Sequence, residues 1–347
     1  MPGYTQDNKP DQHGRQSVAH TSSVPCQVQK LPSDLLWYMG RNHIGKPAEL
    51  LALAATSRET WDLLKLELYK TDIIYARDQV QRRWSIAVDD NTALVWAITH
   101  HHTKLAQEMI AIANEFWPEY VNVRKVGGLS AIEACALRGN MAVLKRLLAS
   151  DGCELGGIAR ITSAIPDLFP TLNEPISLLH PSCRMACCTS GSECAYAINA
   201  LGISVASGQA EVTKAFLDHT DPQTWVVHSS HGLQATHVAV LINSASALDM
   251  LLGAGHDASV GSSCFKGATA FHIASARADG ESIRTIRVYR ACMEEDQRIA
   301  RIIKVDKDHR MAIHYAALHD KLREYLQASG GRMTEAQIES MMRKYRN

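Results

Sequence analysis

Several signals that would place a chain in a membrane or a secretory route are missing from this one. No apolar run approaches the roughly 18 residues that a bilayer-crossing helix needs, so no membrane attachment is expected. Residues 1–30 are polar, are interrupted by Gly3, Pro10, Gly14 and Pro25, and contain no continuous apolar core. That is not the pattern of a secretory signal, and the segment reads as a disordered leader. A charge excess of either sign is absent too, because Lys+Arg and Asp+Glu both total 36. The zero balance removes any general pull toward nucleic acid or anionic lipid, and no nucleic-acid partner is expected. There is no Gly-x-Ser-x-Gly elbow, Walker run, dinucleotide fingerprint or His-Glu-x-x-His. Those arrangements mark an acyl-transfer nucleophile, a phosphate cradle, a nicotinamide site and a zinc hydrolase. Their absence weighs against an enzyme, although repeat folds can assemble distant residues into a site. The nine cysteines are odd in number and irregularly spaced. Without a signal peptide they are expected to be reduced thiols in the cytoplasm or nucleus.

What is present is repetition. The 347 residues suffice for two or three domains or one long solenoid, and 46% apolar with 21% charged residues is ordinary for a globular chain. Thr269 to Ser275 reads Thr-Ala-Phe-His-Ile-Ala-Ser, and Met311 to Ala317 reads Met-Ala-Ile-His-Tyr-Ala-Ala. Ala274, Ser275, Ala316 and Ala317 let helices approach closely, while Phe271, Ile273, Ile313 and Tyr315 supply surface to bury. Weaker copies open at Thr92, Ser130, Asn199 and Gln234. The most complete runs from Ser130 to Leu148, with Gly139 where a left-handed residue ends the first helix. Gly208 marks the same turn after Asn199, and Gly253 to Ala258 reads as an exit turn.

These runs resemble the ankyrin opening, Thr-Pro-Leu-His-x-Ala. The resemblance implies an all-α ankyrin-repeat solenoid, in which each helix pair buries its apolar face only by stacking on its neighbours. The openings at 92, 130, 199, 234, 269 and 311 are 38, 69, 35, 35 and 42 residues apart, against an ankyrin period of roughly 33. The step of 69 is either two periods with a degenerate repeat concealed, or one period with a loop inserted. It carries Pro166, Pro170, Pro175 and Pro181, which break helices.

Ahead of the repeats, Leu31-Pro32 begins a helix with Leu35 and Leu36; Leu50 and Leu51 lie in a second. Ser57 caps a third with Trp61, Leu64 and Leu68 on one face. The pattern is similar to the F-box that precedes ankyrin repeats in fungal F-box/ankyrin proteins. That resemblance implies a three-helix N-terminal motif whose Leu31, Pro32, Leu35, Leu36, Leu50 and Leu51 dock on a Skp-type adaptor of a cullin ubiquitin ligase. Without an adaptor, the same helices serve as an end cap. Gln81-Arg82-Arg83-Trp84 reads as a separate short junction helix.

Soft metal ligands cluster once, at His180, Cys183, Cys187, Cys188 and Cys194. Zinc takes four thiolate or imidazole ligands in a tetrahedron. Cys183, Cys187 and Cys194 with His180 or Cys188 would supply them, but paired Cys-x2-Cys knuckles are absent, and a loop of reduced thiols is the competing reading. No other cofactor is expected. His100-His101-His102 falls at the turn between two helices and reads as a turn, since consecutive residues cannot converge on one ion. His237, His272 and His314 hold the ankyrin histidine position and read as structural. Near the end, Gly330-Gly331 stops the last repeat, Thr334 with Gln337 forms a capping box, and Ile338, Met341, Met342 and Tyr345 make an apolar stripe.

The organisation expected is a leader over 1–30, F-box-like helices over 31–75 and first repeats over 76–151. A Pro/Cys-rich insertion or degenerate repeat follows over 152–195, then further repeats over 196–330 and a capping helix over 331–347. The function expected is a protein-interaction scaffold, with the F-box resemblance pointing to substrate recruitment for a ubiquitin ligase. The competing expectation is an accessory or catalytic protein of fungal small-molecule biosynthesis, its pocket made by the repeat groove and residues 152–195.

Overall fold

In a computed structural model of the chain, the residues described are 58–83, 87–88, 91–125, 127–161, 196–227, 232–262, 265, 267–277, 284–285, 287–288 and 304–346. Contacts divide the chain into two units, Met1–Lys65 and Leu66–Asn347. The second unit is an all-α array of stacked helix pairs.

The six openings seen in the sequence are six helix starts. The helices that follow them are α2 (Ala93–Thr99), α4 (Ala131–Arg138), α6 (Ala200–Ala206), α8 (Ala235–Leu241), α10 (Ala270–Arg277) and α11 (Ala312–Leu318). These are the inner helices of repeats one to six. Each begins on alanine, the residue that gives up least on entering a helix. Outer helices follow: α3 (Thr103–Phe116), α5 (Met141–Leu148), α7 (Ala210–His219), α9 (Ala245–Gly253) and α12 (Leu322–Ser329).

The turn between partners is the same device each time. The residue nine after the opening is left-handed: His101 (φ 61°), Gly139 (71°), Gly208 (71°), Asn243 (62°) and Asp320 (58°). The next amide closes the helix end on a carbonyl five residues back, as in His102 N to Ala97 O at 2.8 Å and Lys321 N to Ala316 O at 2.7 Å. The histidine run therefore is a turn: His100 ends α2, His101 supplies the left-handed residue and His102 precedes α3.

Inner helices stack in the order α2, α4, α6, α8, α10, α11, and outer helices α3, α5, α7 and α9 do likewise. Small side chains permit this. Residues 131–137, 200–206, 235–241 and 270–276 are buried all round. Between the layers lie Ile132, Leu144, Leu147, Ile203, Phe216, Val238 and Leu248, each at most 2% exposed. Each contributes about 1.5–3 kcal/mol by leaving water. Side chains at the helix ends also bridge repeats: Ser207 Oγ donates to Ala136 O at 3.1 Å, and the Arg277 guanidinium to Leu241 O.

The packing of α4 on α6, and of α5 on α7, bears on the step of 69 residues. Repeats two and three are direct neighbours, with no complete repeat between them. The chain leaves the array along β3 (Ile158–Ile161) and returns along β4 (Tyr196–Asn199), antiparallel, with Ile161 opposite Tyr196. Across the first two repeats the short strands β1 (Ala87–Val88) and β2 (Arg124–Lys125) pair in parallel.

One helix, α1 (Arg58–Arg83), covers both the third helix expected after Ser57 and the separate junction helix expected at Gln81. It contains no glycine or proline, so nothing local breaks it. Asp72 on α1 ties it to the first repeat: its carboxylate accepts from Ala93 N at 3.2 Å and from the Tyr120 hydroxyl, which also accepts from Leu94 N at 3.5 Å. Burial raises the Asp72 pKa, and burial followed by the Asp72 charge raises that of Tyr120. At the other end α13 (Glu335–Arg346) packs on α11 and α12 with Ile338 buried, after the Gly330 stop (φ 70°). Its expected capping box is present, Thr334 N donating to Gln337 Oε1 at 2.8 Å and Gln337 N to Thr334 Oγ1 at 3.3 Å.

Two substitutions test this account. A Cβ at Gly208 would meet nothing within 4 Å, so Gly208→Ala isolates backbone strain and is expected to lower stability by about 1 kcal/mol in urea unfolding. A neutral result would contradict the left-handed turn. Tyr120→Phe removes one of the two hydrogen bonds to the Asp72 carboxylate and is expected to lower stability by about 1–3 kcal/mol, measured the same way.

Candidate interaction surface

The third residue of each inner helix decides how its first turn is held. In repeats four to six it is histidine, and the imidazole Nδ1 accepts the amide of the opening residue: Gln234 N at 3.2 Å, Thr269 N at 3.2 Å and Met311 N at 3.1 Å. This is the capping-box geometry with imidazole in place of carboxylate. It requires a neutral ring carrying its proton on Nε2. At His272 that second nitrogen donates to Arg310 O at 3.1 Å, the residue just before the next opening. At His237 the carbonyls of Ala268 and Val260 act on the ring, yet Nε2 reaches neither in good hydrogen-bond geometry. Burial lowers the pKa of His237 to about 4, and lowers those of His272 and His314 as well. These histidines hold the fold, in agreement with their place in the ankyrin register.

Repeat two divides the histidine's work between two residues. Glu133 Oε2 accepts from Ser130 N at 2.7 Å, as Nδ1 does elsewhere. A carboxylate has no proton to give, and Arg124 supplies it. Its Nη1 stands 3.2 Å from Glu133 Oε1 and donates to Ile158 O at 2.7 Å, on the strand entering the 162–195 interval. Burial raises the Glu133 pKa, opposed by the Arg124 charge. Repeats one and three use the opening side chain, Thr92 Oγ1 accepting from Val95 N at 3.3 Å and Asn199 Oδ1 from Gly202 N at 2.9 Å; in repeat one Asp72 and Tyr120 receive the two amides between.

On this frame the exposed chemistry varies. Trp96 lies four residues after its opening, where Ala134, Ile203, Val238, Ile273 and Tyr315 are at most 7% exposed, yet Trp96 is 45% exposed. It stacks with His100 and His102 at centroid distances of 4.5 and 5.1 Å. Eight residues after the openings come His100, Arg138, Ser207, Ile242, Arg277 and His319, all exposed or half-buried. Before the sixth opening, the buried Asp306 carboxylate fixes a loop tip. Its Oδ1 accepts from Asp308 N at 2.9 Å and Arg310 N at 2.8 Å, and its Oδ2 from the Tyr315 hydroxyl at 2.7 Å. Lys307, Asp308 and His309 stand exposed there. Sequence reading missed Trp96, Asp306 and Arg124. Comparison at equal register would have isolated Trp96; the other two depend on contacts outside the motif.

The adaptor-docking residues Leu31, Pro32, Leu35, Leu36, Leu50 and Leu51 lie outside the described residues, as do His180, Cys183, Cys187, Cys188 and Cys194. Among the described residues no group of three or more His, Cys, Asp or Glu could hold a metal ion, and no helix is long and apolar enough to cross a membrane. Burial pushes the Cys135 thiol pKa far up and that of Cys153 up to about 12, which makes both weak nucleophiles and poor ligands.

No family model matches the chain, and no curated protein matches it. Among solved structures it is similar to the ankyrin repeat domain of Bcl-3, a unique member of the IkappaB protein family. Identity is 15%, the match covers 70% of this chain and 100% of that one, and the TM-score is 0.38. The repeat architecture therefore rests on the register, caps and helix stacking of the chain itself.

Proposed function

We propose that the array is a scaffold that binds other proteins. The observation that supports this reading most is constancy of frame with variety of surface. Openings, left-handed turns and helix starts recur in register, while the exposed side chains differ from repeat to repeat, as Trp96, His100, Arg138 and Lys307 do. Repeat folds use such surfaces to select protein partners.

Within that reading, residues 31–75 act as an F-box that recruits a Skp-type adaptor and a cullin, and the repeats choose the protein to be ubiquitinated. The support is the sequence pattern at Leu31-Pro32, Leu35-Leu36 and Leu50-Leu51. Affinity purification with mass spectrometry tests it. Wild type is expected to recover adaptor and cullin subunits, and Leu35→Asp to lose both at least tenfold with its thermal unfolding unchanged. If wild type recovers neither above control, the ligase assignment is wrong; other specific partners would still support a scaffold.

One observation favours the second reading, a role in fungal small-molecule biosynthesis. Four inner helices are buried all round, and the buried Thr236 hydroxyl has no hydrogen-bond partner. An unpaired polar group beside apolar helix faces is one component of a small-molecule site. Protein purified from its own host and then denatured would release that compound in roughly stoichiometric amount, detected by liquid chromatography and mass spectrometry. Release of nothing stoichiometric counts against this reading.

A further inference from the structure

We propose that repeats four to six form an acid-released segment of the array, opening as a group when His237, His272 and His314 take up protons while the helices up to α7 stay folded. The geometry carries this. In those three repeats, and in no other described repeat, the acceptor that closes the inner helix is an imidazole nitrogen. A protonated ring is a donor at both nitrogens and cannot accept the opening amide. The first three repeats rely on Thr92, Glu133 with Ser130, and Asn199.

Among the described residues few charges face each ring; Arg277, on the helix of His272, is engaged with Leu241 O. His237 faces His272; α6, packed against it, carries no titratable side chain, and Asp249 on α9 is exposed. His272 is acted on by Asp306 and Lys304 and meets the Tyr315 ring edge-on at 5.3 Å. His314 is acted on by Lys344 of α13, Asp306 and Arg310; Arg323 and Glu324 lie on α12, which packs against its helix. Burial leads in lowering all three, and it also lowers His256 and His319 in the same half.

The direction follows by linkage. Unfolded histidine titrates near 6.5, whereas folded His237 titrates near 4. Between those values only the unfolded state is protonated, so this stability is present above pH 6.5 and is lost as pH falls toward 4. Asp72 and Glu133, in the first half, have the opposite sign. Their folded pKa values are raised, so their contribution is present in acid and is lost as pH rises. Because stacked repeats touch only their neighbours, one end can open while the other holds. His237 alone changes the opening equilibrium by roughly twenty-fold between neutral pH and pH 5.

Hydrogen exchange with mass spectrometry on the full chain at pH 7.4 and 5.0, with times scaled for the intrinsic rate, tests the proposal. Peptides within 234–277 and 311–329 are expected to lose at least tenfold in protection, and those within 93–148 and 200–219 less than threefold. Equal loss in all peptides, or none, overturns it. The variant carrying His237→Gln, His272→Gln and His314→Gln keeps an acceptor that does not titrate, and is expected to remove the difference. A folded variant that keeps the full difference also overturns it. Should the variant fail to fold, exchange at the imidazole C2 hydrogens of wild type reads each ring. Midpoints below 6.5, with that of His237 near 4, support the proposal, and midpoints near 6.5 refute it.

Discussion

An isolated helix of seven or eight residues is marginal in water, and all six inner helices are that short. The acceptor that receives the first free amides of each helix is therefore the contact on which the array depends. It fixes where the helix begins, and the left-handed residue nine positions on fixes where the chain turns back. Only then do the alanine-rich faces meet at a constant spacing and bury Ile132, Ile203, Val238 and Ile273. The outer helices gain their hold through that layer.

The acceptor need not be one residue type. Imidazole combines an acceptor and a donor in one ring, and His272 so joins its own helix start to Arg310, just ahead of the next opening. Where Glu133 stands, the donor comes from Arg124, nine residues earlier. The pair performs the same two tasks with Glu133 buried and Arg124 half-buried. Such a pair tolerates loss of one member poorly, since the survivor remains buried and uncompensated. Repeat two is also where the chain departs into the 162–195 interval, and Arg124 reaches the strand that leads there.

Much of the repeat architecture was legible because its determinants are local. Opening, cap and histidine fall within four residues, and Gly139 and Gly208 announce their turns. His101, Asn243 and Asp320 mark the same turn less plainly, because these side chains enter the left-handed region more often than other non-glycine residues but far less often than glycine. The bond between Asp72 and Tyr120 spans 48 positions and obeys no period, so no pattern search finds it. Helix α1 was divided in the sequence reading on the strength of motif boundaries, though residues 58–83 contain no breaker. The F-box-like leucines and the cysteine cluster lie outside the described residues, and for them the sequence remains the sole guide.

The pairing of Ile161 with Tyr196 has a consequence for how such a chain can change. Partners in an antiparallel ribbon stand about 5 Å apart, so the 34 residues 162–195 begin and end at nearly one point. The entropy of joining such ends through intervening chain grows only with the logarithm of its length, about 0.6 kcal/mol per doubling. Residues can therefore be added or lost there without shifting the register of any helix. The ribbon works as a splice point, at which new chemistry can enter between two repeats that never part.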